Sequence, residues 1–159
     1  MEQQLLIIRI GRYYLGLPSQ NVRRALSVQS HIRVPLLKPN LLGVILYNNK
    51  FIIKLALDSA LNLGLYKSFS EQMSDCTVIL NVKGIGFCAT VNDIKSLVTV
   101  VPAQIKPVAE SPDVSSDIFP NPAFLTGFFE HEHKLVYILD LDKLYSACFS
   151  EVPGELKHP

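Results

Sequence analysis

QQLLIIRIGRYYLGLPSQNVRRALSV, Gln3 to Val28, and DCTVILNVKGIGFCATVNDIKSLVTV, Asp75 to Val100, are two versions of one segment. Laid over each other at a shift of 72 without a gap, they match Leu6 with Val78, Ile8 with Leu80, Ile10 with Val82, Leu15 with Phe87, Val22 with Ile94 and Leu26 with Val98. A second block repeats at a shift of 84, carrying Leu41–Leu61 onto Leu125–Tyr145 and aligning Gly43 with Gly127, Lys50 with Lys134, Leu55 with Leu139 and Asp58 with Asp142. The second copy therefore holds an insertion of 12 residues between its blocks. Internal repetition decides architecture before any single residue does. Two units of about sixty residues are too small to bury enough surface alone, so each is expected to pack against its twin, with a groove at the seam.

Within each unit the apolar residues recur every second position. Cys76, Val78, Leu80 and Val82 alternate with Thr77, Ile79 and Asn81, and Ile85, Phe87, Ala89 and Val91 alternate with Gly86, Cys88 and Thr90, which is the period of half-buried strands. Lys83-Gly84 joins this pair as a hairpin, and Gly11-Arg12 joins its counterpart, Leu5–Ile10 with Tyr13–Leu17. Third strands are predicted around Arg24–Val28 and Ser96–Val101. Final hairpins are predicted over Leu42–Tyr47 and Phe51–Leu57 across Asn48-Asn49, and over Leu125–Glu130 and Lys134–Leu139 across His131-Glu132-His133. Five strands per copy suffice for a small closed barrel without open edges. A helix follows, with Leu141, Leu144, Tyr145 and Cys148 on one face and Asp140 at its cap, while Asp58 begins a shorter turn carrying Leu61. Pro102 to Pro122, with five prolines, reads as an extended surface loop holding the insertion; Ser68–Ser74 is a polar joint and residues 151–159 a tail.

Composition excludes more than it selects. With 15 basic and 14 acidic residues the net charge is +1, leaving no broad electrostatic footprint for nucleic acid or an anionic membrane. The apolar start is broken at Arg9 and no run reaches the ~18 residues of a bilayer span, so the expectation is a cytoplasmic protein without membrane insertion. Three unclustered cysteines, Cys76, Cys88 and Cys148, read as reduced core thiols. His131-Glu132-His133 offers two imidazoles and a carboxylate, but one hairpin tip without ligands elsewhere is expected to hold no metal. Gly84-Ile85-Gly86 precedes a strand and not a helix, so it is no phosphate loop, and Asp140 and Asp142 are explained by capping and the helix dipole. No acid, base and nucleophile set converges, and neither an enzyme nor a cofactor is expected.

Phe124-Leu125-Thr126-Gly127 followed by Lys134-Leu135-Val136-Tyr137-Ile138-Leu139-Asp140-Leu141-Asp142-Lys143-Leu144 resembles the closing signature of the CheW family of chemotaxis coupling proteins. Thr77–Val101 is similar to that family's second hairpin, Gln104-Ile105-Lys106-Pro107 to the opening of its proline-rich loop, and Leu6–Gly64 follows its spacing. The resemblance implies a mainly β fold of two tandem five-stranded SH3-like barrels with short helices, one at the C-terminal end. It places a single CheW-like domain over residues 1–150, with barrel one at about 5–66 and barrel two at about 75–148, some exchange of strands or helix being possible. It further implies a non-enzymatic adaptor whose partners are the regulatory domain of a CheA-type histidine kinase and the cytoplasmic hairpin tip of a methyl-accepting chemoreceptor. The alternative is a diverged double barrel that binds a ligand or metal outside receptor arrays.

The chain departs from the family at three places, all in its first half. Asn48 stands where an Asn-Leu-Arg-Gly hairpin normally supplies arginine, Ala56 where aspartate is usual, and Arg23-Arg24 where acidic residues are common. Asn keeps the turn chemistry but the guanidinium fork is lost. By motif position and charge the expected partner-contact residues are Val22, Arg23, Arg24, Gly43, Asn48, Asn49 and Lys50.

Overall fold

The computed structural model describes the backbone of residues 2–27, 32, 41–61, 76–111 and 122–149, and the side chains of all of these but 58, 59, 122 and 149. Its strands run in chain order β1 (Gln3–Ile10), β2 (Tyr13–Pro18), β3 (Val22–Ser27), β4 (Leu41–Tyr47), β5 (Lys50–Leu55), β6 (Cys76–Val82), β7 (Ile85–Val91), β8 (Asp93–Val100), β9 (Leu125–His131) and β10 (Lys134–Leu139). Helix α1 (Leu57–Ala60) follows β5 and helix α2 (Leu141–Phe149) follows β10. The expected joint at Ser68–Ser74, the later part of the proline-rich loop at 112–121 and the tail lie outside the described residues.

The ten strands form two five-stranded sheets, ordered β8-β1-β2-β10-β9 (barrel A) and β3-β6-β7-β5-β4 (barrel B). The exchange of strands held possible above is present, so the barrels do not follow bounds of about 5–66 and about 75–148. Barrel A joins the first hairpin of copy one to the third strand and last hairpin of copy two; barrel B is the reciprocal. Neither barrel is thus a contiguous stretch of residues.

The ladders nevertheless reproduce the sequence repeat residue for residue. Ile7 faces Ser96 and Ile8 faces Ile94 in barrel A, and at the shift of 72 Ile79 faces Arg24 and Leu80 faces Val22 in barrel B. The parallel contact matches too, Leu15 with Tyr137 and Gly16 with Ile138 in barrel A against Phe87 with Ile53 and Cys88 with Lys54 in barrel B. Even the irregularities recur, with Lys95 and its mate Arg23 both at the bulged position of their edge strand.

Alternation sorts the side chains into three apolar clusters. Leu5, Ile7, Val100, Phe129, Val136 and Ile138, with Tyr14 beside them, come from all five strands of barrel A. Ile45, Ile79 and Cys88, with Leu26, Tyr47 and Ile52 beside them, do the same in barrel B. The opposite faces meet in the largest cluster, where Ile8, Leu15, Leu17 and Leu139 of barrel A pack with Val78, Leu80, Phe87 and Leu55 of barrel B under Leu141, Leu144 and Cys148 of α2. Burial of both faces of β1, β6 and β7 explains why their apolar content exceeds strict alternation.

Each barrel is closed by the chain that leaves its third strand. After β8, Lys106 exchanges two backbone hydrogen bonds with Phe128 of β9 (2.8 and 3.0 Å); after β3, Ile32 does so with Val44 of β4 (2.8 and 2.9 Å). The first part of the proline-rich loop is therefore docked, and not simply extended over the surface: it makes turns at Pro102–Gln104 and Val108–Glu110, and buried Ser111 hydrogen-bonds the Tyr137 hydroxyl (2.6 Å). As expected, Asp140 caps α2, its Oδ1 accepting from the Lys143 N–H at 3.0 Å.

Inside barrel B, Lys54 is fully buried and lies in register with Cys88, at the position its mate Ile138 holds in barrel A. Burial pushes the Cys88 thiol up to about 12, against a smaller pull downward from the Lys54 charge. The folded state keeps that proton while the unfolded chain sheds it above its ordinary value near 9. The contribution to stability is thus complete below pH ~9 and falls by about 1.4 kcal/mol per unit as pH rises toward the folded value. At pH 8 Cys88 is therefore held as the thiol. With a thiol reagent at that pH, half-exposed Cys76 is expected to react first and Cys88 only at the rate of unfolding; equal rates would contradict this placement.

Candidate functional site

The end of barrel B formed by the β4–β5 and β6–β7 hairpins carries the site. Asn48 and Asn49 close the first hairpin with φ of 49° and 61°, the left-handed pair that a two-residue turn demands and that asparagine tolerates. Lys83 and Gly84 close the second in the same conformation, with φ of 54° and 82°. Glu132 and His133, mates of Asn48 and Asn49, adopt it as well at 49° and 65°, so that turn has two residues and not the expected three.

Between these hairpins opens a cavity of about 710 Å³, within the range of binding pockets. Tyr47, Ile52 and Ile79 line it from the inner face of barrel B. Phe51 and Ile85, on the opposite face of the sheet, border it, as do Arg23, Asn48 and Lys50. Among the described residues no acidic side chain lines it. Arg23 is steered by its own turn, its Nη1 donating to the Gln20 carbonyl at 2.8 Å.

Phe51 and Ile85 belong to an apolar row that crosses three strands. Leu46 faces Phe51 in the β4–β5 ladder, and the parallel register of Ile53 with Phe87 sets Phe51 beside Ile85 two residues earlier. All three are largely in solvent, at 60%, 66% and 50% exposure. Isolated surface apolar residues are unremarkable, but three in register on one face make a candidate interaction surface. They lie on the face that, deeper in the sheet, forms the core between the barrels.

The structure brings Arg23, Asn48 and Lys50 together at this cavity. It does not bring the other expected contact residues there. Val22 is half-buried on β3 and packs on the central core; Arg24 is exposed on the same edge strand; Asn49 lies beyond the cavity lining; and Gly43 is buried opposite Lys54. Phe51, Leu46 and Ile85 were not singled out from the sequence, because each sits in a strand whose apolar residues all read as core. Their signal was positional: they flank the turns, where a sheet has no neighbour to cover them. At the other hairpin tip, His131 and His133 each approach a glutamate at 3.9 Å, and among the described residues no three His, Cys, Asp or Glu side chains converge.

With the two interlocked sheets and this hairpin end established, comparison with known proteins identifies the family. The family model for the CheW-like domain matches residues 4–148, which is nearly all of the chain. The chain belongs to the CheW-like family. A CheW structure, that of the scaffolding protein TtCheW from Thermoanaerobacter tengcongensis, superposes with a TM-score of 0.74 at 20% identity, covering 91% of this chain and 88% of that one. At that identity the likeness speaks for the fold. No curated protein matches in sequence. Membership of this CheW-like family makes the chain a chemotaxis scaffold in the broad sense, and no helix among the described residues is long and apolar enough to cross a membrane.

Proposed function

We propose that this CheW-like chain is a non-enzymatic adaptor that couples the cytoplasmic tips of methyl-accepting chemoreceptors to the regulatory domain of a CheA-type histidine kinase, working in the cytoplasm at receptor arrays. The observation that carries this reading is the exposed row Leu46, Phe51 and Ile85 bordered by Arg23 and Lys50. An apolar strip with a cationic rim is the anatomy of a moderate protein interface, and it asks for no large net charge. Barrel B is the half on which Arg23, Arg24, Asn48 and Ala56 depart from the family pattern, so partner choice resides there.

The mechanism is simultaneous binding. One face of the double barrel holds the kinase while another holds the receptor tip, and the shared central core transmits the position of one barrel to the other as a rigid body. Phe51→Asp is the decisive variant, because it places an uncompensated charge in the centre of the row without touching the core. Titration calorimetry with the kinase regulatory domain is expected to show affinity at least about tenfold weaker than for the parent chain, the scale of a central interface residue. Unchanged affinity would remove this face from the interface.

A further inference from the structure

The ends of the two barrels share a pair of cations and differ in what answers them. At the barrel A end, Lys95 Nζ lies 2.9 Å from the Asp93 carboxylate, and Lys134 Nζ donates to the Tyr14 hydroxyl at 2.8 Å. The Lys95 hydrogen bond holds the Asp93 carboxyl below its usual range, and the Lys134 hydrogen bond does the same to the Tyr14 phenol. The β9–β10 hairpin brings two further carboxylates, Glu130 and Glu132, each 3.9 Å from a histidine.

Barrel B keeps both cations and none of these acids. Arg23 takes the place of Lys95 and Lys50 that of Lys134, in matching registers of their ladders. Asn21 stands for Asp93, Gly86 for Tyr14, Leu46 for Glu130 and Asn48 for Glu132. Asn21 is tied within the barrel, its Nδ2 donating to the Asn81 carbonyl at 3.0 Å. Tyr47, the ring on the inner cluster here, is the mate of His131 and makes no hydrogen bond with Lys50. Lys83, exposed at the tip of the β6–β7 hairpin, adds a third cation. Among the described residues neither Arg23 nor Lys50 meets a carboxylate, and both border the cavity between the hairpins. A lone solvated cation needs no partner. The loss of three carboxylates from one end, with both cations kept, instead leaves a field of one sign, which selects a partner of opposite charge.

We propose that the barrel B end takes a carboxylate side chain, aspartate or glutamate, from a partner protein, which in the adaptor reading is the kinase regulatory domain. The carboxylate sits at the cavity bordered by Arg23 and Lys50, while apolar residues beside it on the partner cover Leu46, Phe51 and Ile85. The partner thus supplies the anion that Asp93 supplies in barrel A. The adjoining apolar row favours a protein surface over a free anion, which would leave Phe51 in solvent. The inference rests on the proposed reading of this face as a partner surface, and it names the charge that meets it.

The test follows amide chemical shifts of the isotope-labelled full chain at low salt on titration with the peptide acetyl-Phe-Glu-Glu-Phe-amide. Saturable shifts at Lys50, Ile52 and Gly86 are expected, with millimolar affinity, and none at Tyr14 or Lys134. Arg23→Met and Lys50→Met are each expected to weaken binding by about two- to fivefold, the scale of an exposed ion pair, and Lys143→Met on α2 to leave it unchanged. The glutamine counterpart, acetyl-Phe-Gln-Gln-Phe-amide, and inorganic phosphate are both expected to bind more weakly. Equal binding of either one, equal shifts at both barrel ends, or no shifts at about 10 mM peptide would overturn the proposal. The kinase regulatory domain is expected to bind a variant carrying both Arg23→Met and Lys50→Met about tenfold more weakly than the parent, a loss that shrinks as salt screens the charges. If it binds that variant as tightly as the parent, the carboxylate anchor fails and the adaptor reading stands. If the peptide binds and neither the kinase domain nor the receptor tip does, the adaptor reading fails and the carboxylate site stands.

Discussion

Leu139→Ala is expected to lower the unfolding free energy by about 2–5 kcal/mol and to do so for both barrels at once. Leu139 is wholly buried at the end of β10, in the cluster to which both sheets contribute. Shortening it removes apolar contacts and leaves a cavity that rigid sheets on either side cannot close. Because each barrel takes strands from both halves of the chain, neither can unfold while the other stays intact. In a urea titration the amide signals of β1 and β6 are expected to vanish at one midpoint, shifted together in the variant. Separate midpoints would show that the shared core does not tie the barrels together.

Gly127→Val carries the second large effect, and it contrasts with Gly86. A Cβ on Gly127 would lie 2.6 Å from Ile105 Cγ2 and 2.9 Å from the Lys106 carbonyl oxygen. Ile105 is β-branched and packed on the barrel A cluster, and the Lys106 carbonyl is fixed by its hydrogen bond from the Phe128 N–H. The substitution must therefore push the closing segment off β9, at a cost of about 1–3 kcal/mol. Thermal unfolding is expected to show a fall of several degrees for Gly127→Val and almost none for Gly86→Ala, whose Cβ meets only ordinary contacts. Equal effects at the two positions would mean that the segment around Lys106 does not close barrel A.

The repeat made every hairpin legible, since period-two patterning and turn residues act over a few positions. That the first hairpins are the exchanged elements was not legible, and the reason is physical. Leu26 and Val98, or Val22 and Ile94, present the same apolar pattern to a hairpin, so pattern alone does not distinguish pairing within a copy from pairing with the other. What decides is the path of the connecting segments, and β2 and β3 are separated by only the short turn Ser19–Asn21, which carries the chain directly from one sheet to the next.

The candidate site was legible in part. Arg23, Asn48 and Lys50 are the residues by which charge and turn chemistry depart from the family pattern, and they meet at one cavity. Phe51 and Ile85 escaped notice because exposure at a strand end depends on what covers that end. Gly86, the mate of Tyr14 in the aligned repeat, also lines that cavity. A glycine in a strand pattern reads first as a bulge or a tight approach.

The adaptor account makes one demand that no single-partner module meets: receptor tip and kinase must be held at the same time. The direct measurement is co-sedimentation of membranes bearing chemoreceptor cytoplasmic tips with the CheA-type kinase, with and without this chain. The account predicts that the chain carries additional kinase into the pellet at tens of micromolar, a range that weak modules reach, and that Phe51→Asp abolishes the gain while the variant itself still sediments with receptor. A pellet whose kinase content is the same with and without the chain would contradict it.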